Sequence, residues 1–167
     1  MLFPAFSLYA DTEISIYYTA SLNGNLIGCD CKGVPKAGLS TSAAYMRKID
    51  HENSILIDLG DFNDARTDRL LSDTLVGLYS EIGYDLVSLG DQELASGIDY
   101  FQSTKRKLDY ISNNITIDGR ALSPEPVIIE KKGIKIGIAA VIDPAVFYFY
   151  PSEIKDKIKV SDPAAAA

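Results

Sequence analysis

Residues 54–65, "SILIDLGDFNDA", run from a short unbroken apolar stretch into a glycine and then into two carboxylates and an amide. An apolar run of this length bounded by turn residues predicts a strand covered on both faces, as in a parallel sheet. The design repeats at residues 84–93, "YDLVSLGDQE". Glycine lets the chain turn sharply after each strand, so Asp61, Asp91 and Glu93 can point back toward one crevice at the carboxyl ends of the strands, where open α/β sheets bind ligands. A single Gly-Asp pair also marks ordinary turns. Here a third polar loop, "SLNGN" (21–25), follows the strand-like "ISIYYT" (14–19), and three such loops in succession point to a site.

Outward from this centre, apolar and amphipathic runs alternate. "KAGLSTSAAYMRKI" (36–49) places Leu39, Ala43, Met46 and Ile49 at helical spacing. Leu71, Leu75, Leu78 and Ile82 keep one face of the next helix apolar, and Gly83 stops it. A weaker helix over 97–107 is followed by "LDYISNNI" (108–115), and "PVIIEKKGIKIGIAAVID" (126–143) reads as two strands joined by a tight Lys-Lys-Gly turn. Strands alternating with helices predict right-handed crossovers and a largely parallel sheet. At the end, "SDPAAAA" (161–167) starts another helix or is the point where readable sequence gives out.

Composition narrows the function classes. The chain has 167 residues, 47% of them hydrophobic, and a formal net charge of −7. That is one domain with a real core, and its charge repels nucleic acid and anionic membranes. The densest basic run, Lys105-Arg106-Lys107, reads as a solvated helix end. No stretch approaches the ~18 apolar residues a transmembrane helix needs. Residues 1–10, "MLFPAFSLYA", are either the remnant of a signal peptide without its basic start or an arm packing on the body formed by 11–167.

The run "YYTASLNGNL…KAGLSTSAAYMRKI…SILIDLGDFNDA…YSEIGYDLVSLGDQELASG…LDYISNNI…PEPVIIEKKGIKIGIAAVIDP" resembles the first half of a calcineurin-like metallophosphoesterase domain of the bacterial 5'-nucleotidase type. The resemblance implies the first half of an α/β sandwich, with about six strands and three helices. It also implies two divalent metals that polarise a phosphoryl group and activate water. Their ligands come from Asp-x-His after the first strand, Gly-Asp after the second, Gly-Asn-His-Glu after the third, and later histidines.

Carried over residue by residue, most of these positions depart. Ser21 stands for the expected Asp, Asn23 for His, Asp91 for Asn and Gln92 for the His that assists the leaving group, while Asp61 matches the bridging carboxylate. Hydroxyl and amide groups are weak, neutral ligands for a transition metal. The one histidine, His51, precedes the second strand and so lies at the wrong end of it. Asp61, Asp91 and Asn23, with Asp64 beside them, suit Ca²⁺, Mg²⁺ or Mn²⁺ at most weakly, and otherwise close turns and cap helices.

The expectation is a non-catalytic module that binds or assembles. The alternative is a metal-dependent phosphoester hydrolase whose remaining ligands lie beyond residue 167 or on another chain. In the resemblance the second sheet comes largely from sequence outside this chain, so the inner face of the first should lie open. "SILIDL" and "IGIAAVI" would then form an apolar patch that a partner or a second copy covers.

Cys29 and Cys31 form a Cys-Asp-Cys insertion that resembles a cysteine-bearing variant of this loop in exported bacterial relatives. A strained bond to each other, a bond to another chain and two free thiols all stay open, with a structural role expected. "VFYFY" (146–150) is core, strand edge or a docking surface, and Asn114-Ile115-Thr116 fits a short glycosylation motif.

Overall fold

A computed structural model describes residues 12–28, 32–33 and 38–166. The 1–10 segment and the Cys29/Cys31 pair fall outside the described residues.

The centre is a four-stranded parallel sheet in the order β1-β2-β3-β4, formed by Ser15–Thr19, Ser54–Asp58, Leu86–Ser88 and Tyr110–Ile111. All five residues of β2 are buried, as a strand covered on both faces requires. Against one face lie α1 (Leu39–Met46), α2 (Arg69–Ile82) and α3 (Ile98–Thr104). Leu39, Ala43, Met46, Leu75, Tyr79, Ile82 and Phe101 join Leu56 and Val87 in the larger core there. The Asp68 side chain accepts the N–H of Leu71 to begin α2, and Gly83, at φ 84°, ends it in the left-handed conformation that glycine adopts without cost.

The opposite face corrects the expectation of an open sheet. Strands β7 (Val127–Lys131) and β8 (Ile134–Ile138) form an antiparallel hairpin. Val127, Ile129, Ile136 and Ile138 pack on Ile55, Ile57, Leu86 and Ile111. Residues 54–58 of "SILIDL" are therefore buried, and only Leu59 at its end stays exposed. The hairpin does not reach all of β1. Ile16 and Tyr18 stand in register with Ile55 and Ile57 on the same face, yet remain 55% and 69% exposed. The turn between the hairpin strands, Lys132-Gly133, has φ of 50° and 78°, the twist that suits a two-residue hairpin loop.

The described residues contain nine strands and five α-helices, more than the six and three expected. "LDYISNNI" supplies β4, leaves the sheet at Ser112, and its last residue, Ile115, opens β5 (Ile115–Ile117) of a different sheet. There β5 pairs antiparallel with β6 (Arg120–Ala121) and with β9 (Ile158–Val160). Strands of two or three residues carry no readable alternation, and α4 (Ser152–Lys155) is a single turn. The terminal alanines do start a helix, α5 (Pro163–Ala166).

Asn113 and Asn114 knit the sheets together. Asn114 is 4% exposed; it donates to the carbonyls of Ile142 and Ser161 and accepts the N–H of Ile142. A side chain so enclosed is no glycosylation acceptor in the folded chain.

Candidate functional site

The three polar loops meet at the carboxyl ends of β1, β2 and β3. The first runs along the second through N–H donations from Ser21, Asn23 and Gly24 to the carbonyls of Gly60, Asp61 and Phe62, at 3.0, 2.8 and 3.0 Å. The second and third loops touch at their glycines. A Cβ on Gly90 would come within 2.1 Å of Asp61 Oδ1, and one on Gly60 within 2.8 Å of the Gly90 nitrogen. Only glycine fits either position.

Glu93 sets this arrangement. It is 1% exposed and accepts four backbone N–H groups, from Asp61, Phe62, Asn63 and Gly90, at 2.8 to 3.2 Å. The carboxylate thus organises the site from beneath and does not face the crevice. Burial pushes its carboxyl up to about 7, against the pull of those N–H donors.

A second buried carboxylate, Asp58, closes the first loop onto β2. It accepts from Thr19 Oγ1 at 2.5 Å, Tyr79 Oη at 2.9 Å and the Gly60 N–H at 2.8 Å. Burial again raises its carboxyl above the ordinary range. The Tyr79 ring is stacked between Phe62 and Tyr84, with centroids 4.3 and 4.4 Å away.

The candidate ligands lie on this frame. Ser21, Asn23 and Asp61 have φ of 50°, 51° and 59°, left-handed conformations that cluster where backbone strain commonly accompanies function. Asn23 Oδ1 accepts from Gln92 Nε2 at 2.6 Å, and Asn23 Nδ2 donates to the Ser21 carbonyl at 2.6 Å. Two of the departed positions are therefore bonded to each other. Asp61 Oδ1 lies 3.4 Å from the Gln92 N–H, and half-burial together with the neighbouring Asp91 charge raises its carboxyl. Asp91 Oδ2 accepts from Tyr150 Oη at 2.8 Å.

Asp64 turns aside to Arg66, with Nη2 2.8 Å from Oδ2, and contributes no free oxygen to the group. A groove of about 570 Å³ beside the site is lined by residues 21–28 and Arg66, and not by Asp61 or Asp91. His51 sits before β2 at the far end of the sheet, where its carbonyl accepts from Lys131 Nζ at 2.8 Å.

Sequence reasoning grouped Ser21, Asn23, Asp61, Asp91 and Gln92, and the fold brings them together. It missed Tyr150. The "VFYFY" run divides among three roles: Phe147 is buried, Tyr150 reaches the site, and Tyr148 and Phe149 are 74% and 91% exposed. Nothing near Tyr150 in sequence marks it as the partner of a residue so far up the chain.

A pair of transition metals does not fit this donor set. Among the described residues no three His, Cys, Asp or Glu side chains converge, and one hydroxyl with two mutually bonded amides offers little to zinc or iron. Two buried acceptors, Gln92 Oε1 and Asn63 Oδ1, have no hydrogen-bond partner. A hard cation or a water would satisfy such oxygens.

No protein-family model matches the sequence, and no curated protein matches it. Solved structures do match the fold. A putative 5'-nucleotidase from Staphylococcus aureus superposes with a TM-score of 0.73 at 19% identity, over 90% of this chain and 32% of that one. A calcineurin-like phosphoesterase from Bacillus subtilis gives 0.68 at 20%, over 91% and 55%. A 5'-nucleotidase precursor from Thermus thermophilus gives 0.73 at 15%, over 90% and 32%. The chain has the fold of the N-terminal part of these phosphoesterases, and it spans about a third to a half of their length.

Proposed function

We propose that this chain is a phosphoesterase-like module that binds or assembles and does not hydrolyse phosphoesters. The observation that carries the reading is the Asn23–Gln92 hydrogen bond. Side chains at two expected metal-ligand positions hold each other across the first and third loops, and their neutral amides replace the imidazoles that two-metal hydrolysis uses. Asp61 and Asp91 remain as oxygen donors, enough for weak binding of Ca²⁺, Mg²⁺ or Mn²⁺. The module works in an exported protein, as a precursor among the matched structures also suggests, and is covered in part by a protein partner or a second copy. The deciding experiment assays nucleotides and bis-aryl phosphates with Mn²⁺, Mg²⁺ or Ca²⁺. Absence of turnover is expected, and turnover lost on Asp61→Ala overturns the reading.

One observation favours a second reading. The matched structures are two to three times longer than the region they share with this chain. A hydrolase completed by ligands outside these residues would show activity in a longer protein and still need Asp61.

A further inference from the structure

We propose a separate anion site, for a small phosphate monoester, in the cleft between the end of α3 and the β5–β6 hairpin. The cleft has a volume of about 400 Å³ and is lined by Gln102 and Lys105 from one side and Ile117, Asp118, Arg120 and Leu122 from the other. That volume is in the range of small-molecule sites, ~300–1,000 Å³.

The sequence accounts for Lys105 alone, because a cation at a helix C-terminus complements the carbonyls exposed there. It does not account for Arg120, which the hairpin brings to the same cleft. Among the described residues, ion pairs join Arg47 to Glu81, Arg66 to Asp64, Lys131 to Asp85 and Lys157 to Asp99. Neither Lys105 nor Arg120 takes part in these, although Asp118 lines the cleft with them. Asp118 takes the left-handed backbone of the hairpin turn, at φ 49°, and its N–H donates to the Lys157 carbonyl.

Two cations and one carboxylate leave the cleft positive, on a chain whose net charge is −7. Like charges lining one cleft repel unless an anion comes between them. A phosphate dianion matches this set: the guanidinium presents a two-pronged donor, the ammonium a point charge and Gln102 an amide. Ile117 and Leu122 offer an apolar floor to the body of the ester. The net charge works against recruitment to an anionic membrane, so the ligand is a soluble ester and not a lipid headgroup.

The test is a titration of the full chain, at low salt, with phenyl phosphate, inorganic phosphate, benzoate and phosphatidate-containing vesicles, followed by amide and side-chain NMR. Saturable shifts are expected at Gln102, Lys105 and Arg120, with phenyl phosphate ahead of benzoate. Arg120→Ala should weaken binding about tenfold, as loss of a charge-assisted contact does. Asp118→Asn should tighten it, and Lys132→Ala, a cation on the other hairpin, should leave it unchanged. The proposal is overturned by absence of saturation, by equal affinity for benzoate, by equal loss in Lys132→Ala, or by binding to vesicles alone.

Discussion

Glu93 shows how much one side chain can settle here. Its two oxygens gather N–H groups from the second and third loops. Unfolded, the carboxyl ionises near 4.5; folded, only near 7. Between those values the folded chain holds the proton more tightly, so this contribution to stability is complete below about pH 4.5 and is lost as pH rises through about 7. The raised carboxyls of Asp58 and Asp61 act in the same direction. Denaturant melts of the wild type should therefore show stability falling across that window by up to ~3 kcal/mol from Glu93. Glu93→Gln should flatten the slope, and at pH 4.5 the variant should still be less stable by ~1–3 kcal/mol because its amide N–H₂ faces backbone donors. An unchanged slope in the variant would assign the pH dependence to other groups. At the same scale, Gly90→Ala should cost ~2 kcal/mol or more, because the added methyl meets the Asp61 carboxylate and backbone.

At the scale of elements, the hairpin β7–β8 is the piece that makes the parallel sheet a two-sided core. Its turn end is fixed by Lys131, whose ammonium bonds the His51 carbonyl at 2.8 Å and Asp85 Oδ1 at 3.1 Å, while Asp85 Oδ2 accepts the N–H of Leu56 at 2.9 Å. Both side chains of that ion pair are less than a quarter exposed. Lys131→Met keeps the apolar stem and leaves Asp85 without its cation, so a loss of ~1–2 kcal/mol is expected by chemical denaturation. Amide exchange should rise first at β7 and β8, and a loss spread evenly over the chain would show that the pair does not anchor the hairpin. This element also marks the limit of what was legible. Both strands and the tight turn are plain in "PVIIEKKGIKIGI", because apolar runs on either side of Lys-Lys-Gly leave no other reading. Where the hairpin docks is not, because that depends on how its apolar faces meet β2 and β3, residues far up the chain. The three loops of the site were legible for a local reason, a glycine beside a carboxylate or amide after each strand. The contact of Tyr150 with Asp91, and the meeting of Arg120 and Lys105 in the lining of one cleft, arise only when distant segments fold together.

For the whole molecule, the question is what remains uncovered. The Ser15 N–H donates to the Asn53 carbonyl and the Thr19 carbonyl accepts from Leu59. The alternation of a parallel ladder then turns the backbone groups of Ile16 and Tyr18 to the outer edge, where among the described residues no further strand pairs with β1. Their side chains continue the face that the hairpin covers elsewhere, and Leu59 and Val141 are 53% and 40% exposed. An open edge and an apolar flank on one strand invite pairing with more polypeptide. In isolation, these 167 residues should therefore bind an exposed-hydrophobe dye and associate with rising concentration in sedimentation velocity. Replacing Ile16 and Tyr18 together by Asp should reduce both effects several-fold while changing unfolding stability by less than ~1 kcal/mol, because neither side chain is in the buried core. A monomeric wild type that binds no dye would mean that this flank needs no cover, and would remove the physical reason for expecting a partner there.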